Sequence, residues 1–403
     1  MPPSFPLGVS FFTFTQIAYL VDIYKSDQLR HKLLDFSLLI TFFPHLAAGP
    51  ILHHKEMMPQ FARFHKRFIS TRNISIGLSI FIVGLSKKVL LADSLGEYAD
   101  LIFDNKIDSH DLDFISAWSG ALAYSFQLYF DFSGYSDMAI GIARMVGIHV
   151  PINFFSPYKS ASIIEFWRRW HISLSRFLRM YLYIPLGGSK LGPTRHIINL
   201  FLTMLLGGIW HGAGWTFILW GSMHGVFLII NHLWQKFRTK YVAEILPRAK
   251  TLAWLLTFCV VVVAWVVFRA ETVGDSMNII KGMFGLNGFY LHVGWVERFE
   301  SLRQLCDFLG LSTRDISSTH GGLKHVGLIL VSLTICLIFP TTQQIFDGYQ
   351  CGINSEQLKP QKSLISVSIK WPPNIFWSLL MSALLLICLS RNNTNSEFLY
   401  WQF

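Results

Sequence analysis

The sequence predicts an all-α, multi-pass integral membrane protein, and three observations predict it. Charged residues make up 14% of the 403-residue chain, against roughly 25% in an average soluble domain. Hydrophobic residues reach 52% and aromatic ones 15%, with 35 Phe and 13 Trp. Apolar stretches of helical length recur from one end to the other, most of them near the ~20 residues that a bilayer core of about 30 Å requires. A soluble protein of this size needs a charged exterior, and the charge to make one is missing. The same arithmetic excludes disorder, collagen, a coiled coil and a small disulfide scaffold. Cys259, Cys306, Cys336, Cys351 and Cys388 are scattered, with no Cys-x-x-Cys pair. They predict neither a disulfide framework nor a metal site. The net charge of +10 fits basic loops facing cytoplasm and anionic lipid headgroups. Membrane lipids are therefore expected partners, and nucleic acid is not.

The apolar runs lie at 5–24, 33–52, 74–92, 114–148, 197–211, 215–233, 251–268, 323–340 and 374–390. No repeat divides them, so 1–403 is read as one membrane domain. The run from Phe5 has no basic residue before it, which predicts no cleavable signal peptide. Lys55, Arg63, Lys66, Arg67 and Arg72 place 53–73 in the cytoplasm. Asp93, Glu97, Asp100, Asp104, Asp108, Asp111 and Asp113, against Lys106 alone, place 93–113 outside. Lys25, Arg30 and Lys32 make 25–32 basic as well, and two cytoplasmic loops cannot flank one full span. Pro44, Gly49 and Pro50 interrupt the run between them, so 33–52 reads as a re-entrant hairpin. By the same logic 197–233 is two antiparallel helices joined near Gly212–Gly214, with His211 deep in the membrane at the break.

Three constellations carry chemistry. Gln127, Asp131 and Asp137 sit inside one apolar run, and a charge at bilayer centre costs about 2.5–3.5 kcal/mol on insertion scales. Either the carboxylates line a wet interior, or they cap a helix broken near Gly134 and pair with Arg. In the second, Glu165, Arg168, His171, Ser175 and Arg179 share one face at about 100° per residue, opposite Trp170, Leu174 and Phe177. The segment 161–182 is thus one amphipathic helix with a basic face, either interfacial or turned inward on a polar cavity. In the third, Trp210 and His211 stand among Gly207, Gly208, Gly212 and Gly214. The glycines allow close approach of a backbone or a ligand, which favours a functional His over a packed one. His224 falls on another part of the helix and reads as packing. His45 is a weak cavity candidate. His53 and His54 resemble a metal site only superficially, because adjacent His point apart on regular elements.

Together, Gln127–Asp137 (QLYFDFSGYSD), Glu165–Ser175 (EFWRRWHISLS) and Gly207–Gly212 (GGIWHG) closely resemble the membrane-bound O-acyltransferases (MBOAT), within them the bacterial alginate O-acetyltransferase branch. Pro6–Phe11, Pro44–Pro50, Tyr181–Gly188, Phe268–Ala270 and Phe398–Phe403 extend the resemblance over nearly the whole chain. It implies a helical ring around a transmembrane tunnel, with His211 catalytic and His171 its second active-site member. It implies acetyl transfer from a cytoplasmic donor, acetyl-CoA or another acyl donor used as co-substrate, toward an extracytoplasmic polysaccharide such as alginate. An esterase-like acetyltransferase partner outside the membrane, polysaccharide assembly proteins and a cytoplasmic (inner) membrane location follow from the same source, and no tightly bound cofactor or metal does.

Two departures stand out. The family has further helices before the motif at Pro6, and Met180 stands where the family has an acid, leaving Arg179 without that partner. The chemistry fits the residues: a neutral imidazole can take the proton of an attacking hydroxyl, worth roughly 10²–10⁴ in rate. Arg168, Arg169 or backbone N–H groups are candidates to hold the oxyanion. D-alanyl transfer to a cell-envelope polymer, and a transporter or scramblase that uses the same broken helices, are the competing readings.

Overall fold

The computed structural model describes residues 8–26, 32–46, 49–63, 70–104, 112–241, 250–309, 312–314, 322–353, 367–391 and 398–399. The helices are α1 (Val9–Lys25), α2 (Leu33–Thr41), α3 (His54–Ala62), α4 (Thr71–Ser86), α5 (Asp93–Phe103) and α6 (Phe114–Met145). The central motifs lie on α7 (Ile163–Trp167), α8 (Ile172–Leu178), α9 (Pro193–His211) and α10 (Trp215–Tyr241). Then come α11 (Lys250–Arg269), α12 (Val273–Met283), α13 (Val293–Arg298), α14 (Glu300–Leu309), α15 (Leu323–Leu337), α16 (Thr342–Ile345) and α17 (Ile375–Ser390). Strands β1 (Tyr290–His292) and β2 (Ser312–Arg314) pair in parallel, Tyr290 opposite Ser312. The fold is helical throughout its core, as an integral membrane protein must be when backbone groups have no water to bond.

Among the described residues, three helical stretches are long and apolar enough to cross a bilayer: Thr71–Phe103, Trp215–Phe237 and Lys250–Arg269. Shorter apolar helices cover Leu33–His45, Lys324–Leu337 and Ile375–Ser390. Leu379, Leu386 and Leu389 on α17, and Ile230 on α10, are exposed. Apolar faces of this kind are what lipid covers.

α6 is the pillar. It runs 32 residues without a break, so Gly134 does not interrupt it as the capped-helix reading required. The glycine serves contact instead. A Cβ on Gly84 of α4 would fall 2.5 Å from the Gly134 carbonyl oxygen, and one on Gly77 would fall 2.4 Å from that of Gly141. Two glycine pairs, two turns apart, thus let the backbones of α4 and α6 touch.

Just beyond that seam the helix widens into a π-helical stretch at Lys87–Ala92, the kind of insertion that re-aims side chains. Two consecutive lysines there both reach α6. Lys87 pairs with Asp137, which also accepts from Thr342 Oγ1 and, at 2.9 Å, from Gln343 Nε2. Lys88 lies 2.8 Å from Asp131 and 2.7 Å from Asp93. The intramembrane acids are therefore paired with lysines, not with Arg as the capped-helix alternative had it.

One segment differs from the sequence reading and another is interrupted where that reading placed a break. The acidic stretch from Asp93 is not a loop at its start: α5 continues the span, burying Leu95, Ala99, Ile102 and Phe103. Its acids are used inward, with Arg269 on both Asp100 and Asp104 at 3.2 and 2.7 Å. Asp108 and Asp111 lie outside the described residues. Run 33–52 is broken as Pro44 predicts, α2 giving way to a 3₁₀ turn at Phe43–His45. There His45 donates from Nδ1 to the Phe42 carbonyl and closes the turn.

Removing one member of a buried ion pair strands its partner, at about 3–5 kcal/mol. Lys88→Met should cost that much in detergent thermal unfolding. Lys88→Met/Asp131→Asn, which keeps an acceptor for the Leu399 N–H, should recover most of it. A double variant no more stable than the single would contradict the pairing.

Candidate active site

The hairpin of α9 and α10 positions His211. A Cβ on Gly208 would sit 2.4 Å from the Phe217 carbonyl oxygen, and one on Gly221 would sit 2.6 Å from that of Met204. The two helices thus touch backbone to backbone just before the turn. His211 is the last residue of α9, and Gly212 caps it with extended backbone. Its imidazole is 7% exposed. It sits edge-on to Trp220 at 5.2 Å and to Phe268 at 5.1 Å, with Trp210 at 4.5 Å. Trp210 in turn packs on Phe14 of α1 at 4.7 Å, and Phe14 on Phe177 of α8 at 4.4 Å. One aromatic chain therefore ties the two histidine-bearing segments together.

His171 comes from a segment read in the sequence as one amphipathic helix, and here the structure corrects that reading. The stretch 161–182 is not continuous: α7 ends at Trp167, α8 starts at Ile172, and a π-helical turn covers Arg179–Tyr183. His171 stands in the break with φ 42° and ψ 57°, a left-handed conformation that costs a non-glycine residue roughly 1–2 kcal/mol. The helical-wheel stripe is accordingly split. His171 is 1% exposed, its ring edge-on to Phe132 of α6 at 4.7 Å, whereas Arg168 and Arg179 are exposed. His171 and His211 lie within electrostatic range of each other, on segments that the aromatic chain through Phe14 joins.

The remaining candidates fall elsewhere. Arg169 bonds Glu165, its Nε at 3.2 Å from the carboxylate, and donates from Nη1 to the Phe155 carbonyl at 3.1 Å. Ser175 Oγ donates to the Trp170 carbonyl at 3.4 Å. Gln127 lies over Gly96 of α5, where a Cβ would meet its Nε2 at 2.6 Å. Asp131 and Asp137 belong to the lysine pairs already described. His224 is fully buried, accepts from Trp167 Nε1 at 3.2 Å, and lies 4.9 Å from Trp220. Trp220 thus separates it from His211.

A cavity of about 420 Å³ opens beside α8, lined among others by His53, Glu56, Ser173, Arg176 and Tyr181. Glu56 and Arg176 form an ion pair on its wall. Sequence reasoning missed that pair, and also Ser173, Lys87 and Lys88. The lysines had a legible signal, two cations inside an apolar run that also needs counter-ions for two acids.

At the same cavity His53 and His54 do not point apart. Their rings stack at 4.7 Å, because His53 is the extended N-cap of α3 and His54 its first helical residue. Both approach Asp22 of α1, at 3.4 and 3.7 Å. Asp22, His53 and His54 thus have ligand-like spacing. However, Lys55 Nζ lies 3.2 Å from the same Asp22 oxygen, and His53 Nδ1 accepts from the Lys55 N–H while its Nε2 shares a 2.8 Å hydrogen bond with the Tyr181 hydroxyl. Lys55 thus brings a cation to the carboxylate that both histidines approach.

His171 and His211 thus come from two of the three motifs, and Phe132 of the other packs against His171. The membrane-bound O-acyltransferase family model matches residues 7–270. The chain belongs to the membrane-bound O-acyltransferase family. It is 48% identical over 333 residues to a peptidoglycan O-acetyltransferase of Helicobacter pylori, covering 76% of this chain and 62% of that protein. It is 45% identical over 288 residues to a probable alginate O-acetylase, AlgI, of Pseudomonas aeruginosa, covering 71% and 53%. A teichoic acid D-alanyltransferase of Streptococcus thermophilus is 29% identical over 280 residues, covering 65% and 68%. The chain thus spans between about half and two thirds of the length of these relatives.

His53 lies outside the candidate spans, and burial pushes its imidazole down to about 4, with His54 and Arg176 adding to this and Asp22 opposing. The folded state therefore binds this proton less readily than the unfolded chain, whose His titrates near ~6.5. The stability that neutral His53 contributes is present above that value and is lost as pH falls toward about 4. Thermal unfolding of His53→Asn, which preserves an N-cap acceptor, should show a weaker pH dependence across this window. An unchanged pH dependence would contradict the assignment.

Proposed function

We propose that this protein transfers an acetyl group from a cytoplasmic thioester, acetyl-CoA or a related acyl donor, to hydroxyls of an extracytoplasmic polysaccharide, from the cytoplasmic (inner) membrane. The observation that carries the reading is the His211–His171 pair: two imidazoles from distant segments, both buried, one at a helix end between glycines and the other in a strained left-handed turn. Strain and burial of this kind persist where a functional group must be held.

His211 takes the proton of the attacking sugar hydroxyl as the new C–O bond forms at the thioester carbonyl. The carbonyl becomes a tetrahedral oxyanion, the C–S bond breaks, and the thiolate leaves with a proton returned by the imidazole. His171 orients the reacting groups from the opposite wall. Backbone N–H groups near Gly207 and Gly212 are candidates for the oxyanion, as is Arg169, whose guanidinium is engaged in the resting structure. Arg168 and Arg179 suit headgroup or donor phosphate contacts at the rim. The aromatic cage of Trp210, Trp220 and Phe268 excludes water that would hydrolyse the thioester.

The cavity against α8 suits the donor side of the tunnel that the family resemblance implies: its wall includes Ile172 and Ser173, next to His171. Similarity to both a peptidoglycan O-acetyltransferase and a probable alginate O-acetylase supports an acetyl group and a sugar hydroxyl. An esterase-like partner outside the membrane and polysaccharide assembly proteins would complete delivery. Lower identity to the D-alanyltransferase makes D-alanyl transfer the second reading.

Membranes carrying the protein, incubated with radiolabelled acetyl-CoA and either peptidoglycan sacculi or alginate, test this. Labelled ester should form in the presence of polysaccharide. His211→Ala should abolish it, and His171→Ala should lower it by at least about 10²-fold. His224→Ala should act mainly through stability. Near-normal turnover in His211→Ala would leave that histidine as a packed core residue.

A further inference from the structure

His171 is held by more than its own helix. The segment 153–155 runs alongside the turn that carries it and brackets it with backbone hydrogen bonds. Phe155 N–H donates to the Arg169 carbonyl at 3.0 Å on one side, and Ile172 N–H donates to the Asn153 carbonyl at 2.9 Å on the other. Arg169 Nη1 returns a bond to the Phe155 carbonyl at 3.1 Å. His171 lies between these clamps, in the left-handed conformation.

The Asn153 side chain completes the arrangement. It is 0% exposed, and each of its functions is matched. Its Oδ1 accepts from Ser173 Oγ at 2.6 Å and, more weakly, from Ser173 N–H at 3.4 Å. Its Nδ2 donates to Ser136 Oγ on α6 at 3.2 Å. Ser173 Oγ in turn accepts from the Ile51 N–H at 3.0 Å. One amide thus joins α6, the first turn of α8 and the segment before α3, two residues beyond His171. The Oδ1 acceptor meets orphan N–H and hydroxyl groups at the start of α8, as a cap would, and it does so from another part of the chain.

We propose that Asn153, acting through Ser173, is the positioning residue that fixes the His171 imidazole for acyl transfer. This rests on the transfer reading given above. Without the Oδ1 acceptor the turn 168–171 loses its anchor to α6, and His171 relaxes from the left-handed geometry that aims it at the site of His211. Small misplacements of a reacting group lower turnover while leaving substrate binding at a distance intact.

The test uses the full chain in membranes, with radiolabelled acetyl-CoA and peptidoglycan sacculi, comparing Asn153→Ala, Ser173→Ala and the double variant. Each single change should lower kcat by on the order of 10–100-fold, and for Asn153→Ala, which lies outside the cavity wall, the KM for acetyl-CoA should stay within about twofold. The double should be no worse than the weaker single, because both remove one linkage. A second measurement does not need turnover. In detergent-solubilised protein carrying isotope-labelled histidine, the His171 ring resonances, identified by their loss in His171→Gln, should move in both single variants while those of His211 stay. If the unaltered chain transferred no acetyl, the transfer reading would fall and the resonances would still decide the positioning role. Unmoved His171 resonances, or a loss confined to thermal stability or KM with kcat per folded molecule retained, would overturn it.

Discussion

A carboxylate inside an apolar helix bundle must be matched by a cation, and the architecture depends on how α6 meets that constraint. Asp131 and Asp137 are both buried on α6, and consecutive lysines reach them from just beyond a seam of glycines. Both lysines lie in the π-helical stretch at Lys87–Ala92, and each takes a different acid of α6. With those charges satisfied, α6 also presents an aromatic wall. Phe132 of that wall meets His171 at 4.7 Å and Phe154 at 4.9 Å. The pillar therefore does two jobs: it neutralises charge toward α4 and α5, and it supplies a rigid surface for the segment that carries a histidine of the site.

The site itself is assembled from opposed devices. His211 is placed by regular structure, a hairpin drawn tight by Gly208 and Gly221. His171 is placed by irregular structure, a turn that no helix would adopt, secured by hydrogen bonds from residues 153–155. Each imidazole is surrounded by aromatic rings. Such surroundings keep a base uncharged and dry, the state in which it can accept a proton from a hydroxyl.

Much of this was legible in the sequence. Low charge and recurrent apolar runs predicted a helical membrane protein, and Gly212–Gly214 marked the hairpin turn to within its true position. His211 and His171 stood out because a histidine among glycines, or beside arginines, is costly to place without use. What was not legible has physical reasons. A helical wheel presumes one continuous helix, so it could not show the break at His171, beside which Ile172 and Ser173 bond Asn153, a residue 18 positions before the histidine. The acidic composition of 93–113 hid the apolar face of α5, which is buried while Asp100 and Asp104 pair with Arg269 near the surface. Lys87 and Lys88 passed unnoticed because apolar averaging conceals single charges, although the two acids of α6 required counter-ions from somewhere. The stacking of His53 on His54 escaped a rule that holds only for regular elements.

The placement of chemistry at His211 is tested most directly by an experimental structure with a non-hydrolysable acetyl-CoA analogue bound. The assignment predicts that the atom standing for the thioester carbonyl carbon lies between the imidazoles of His211 and His171. One ring nitrogen of His211 should then be within about 3.5 Å of the position an attacking hydroxyl would take. An analogue bound with its acyl end remote from both histidines, and His211 still enclosed by Trp220 and Phe268, would contradict it.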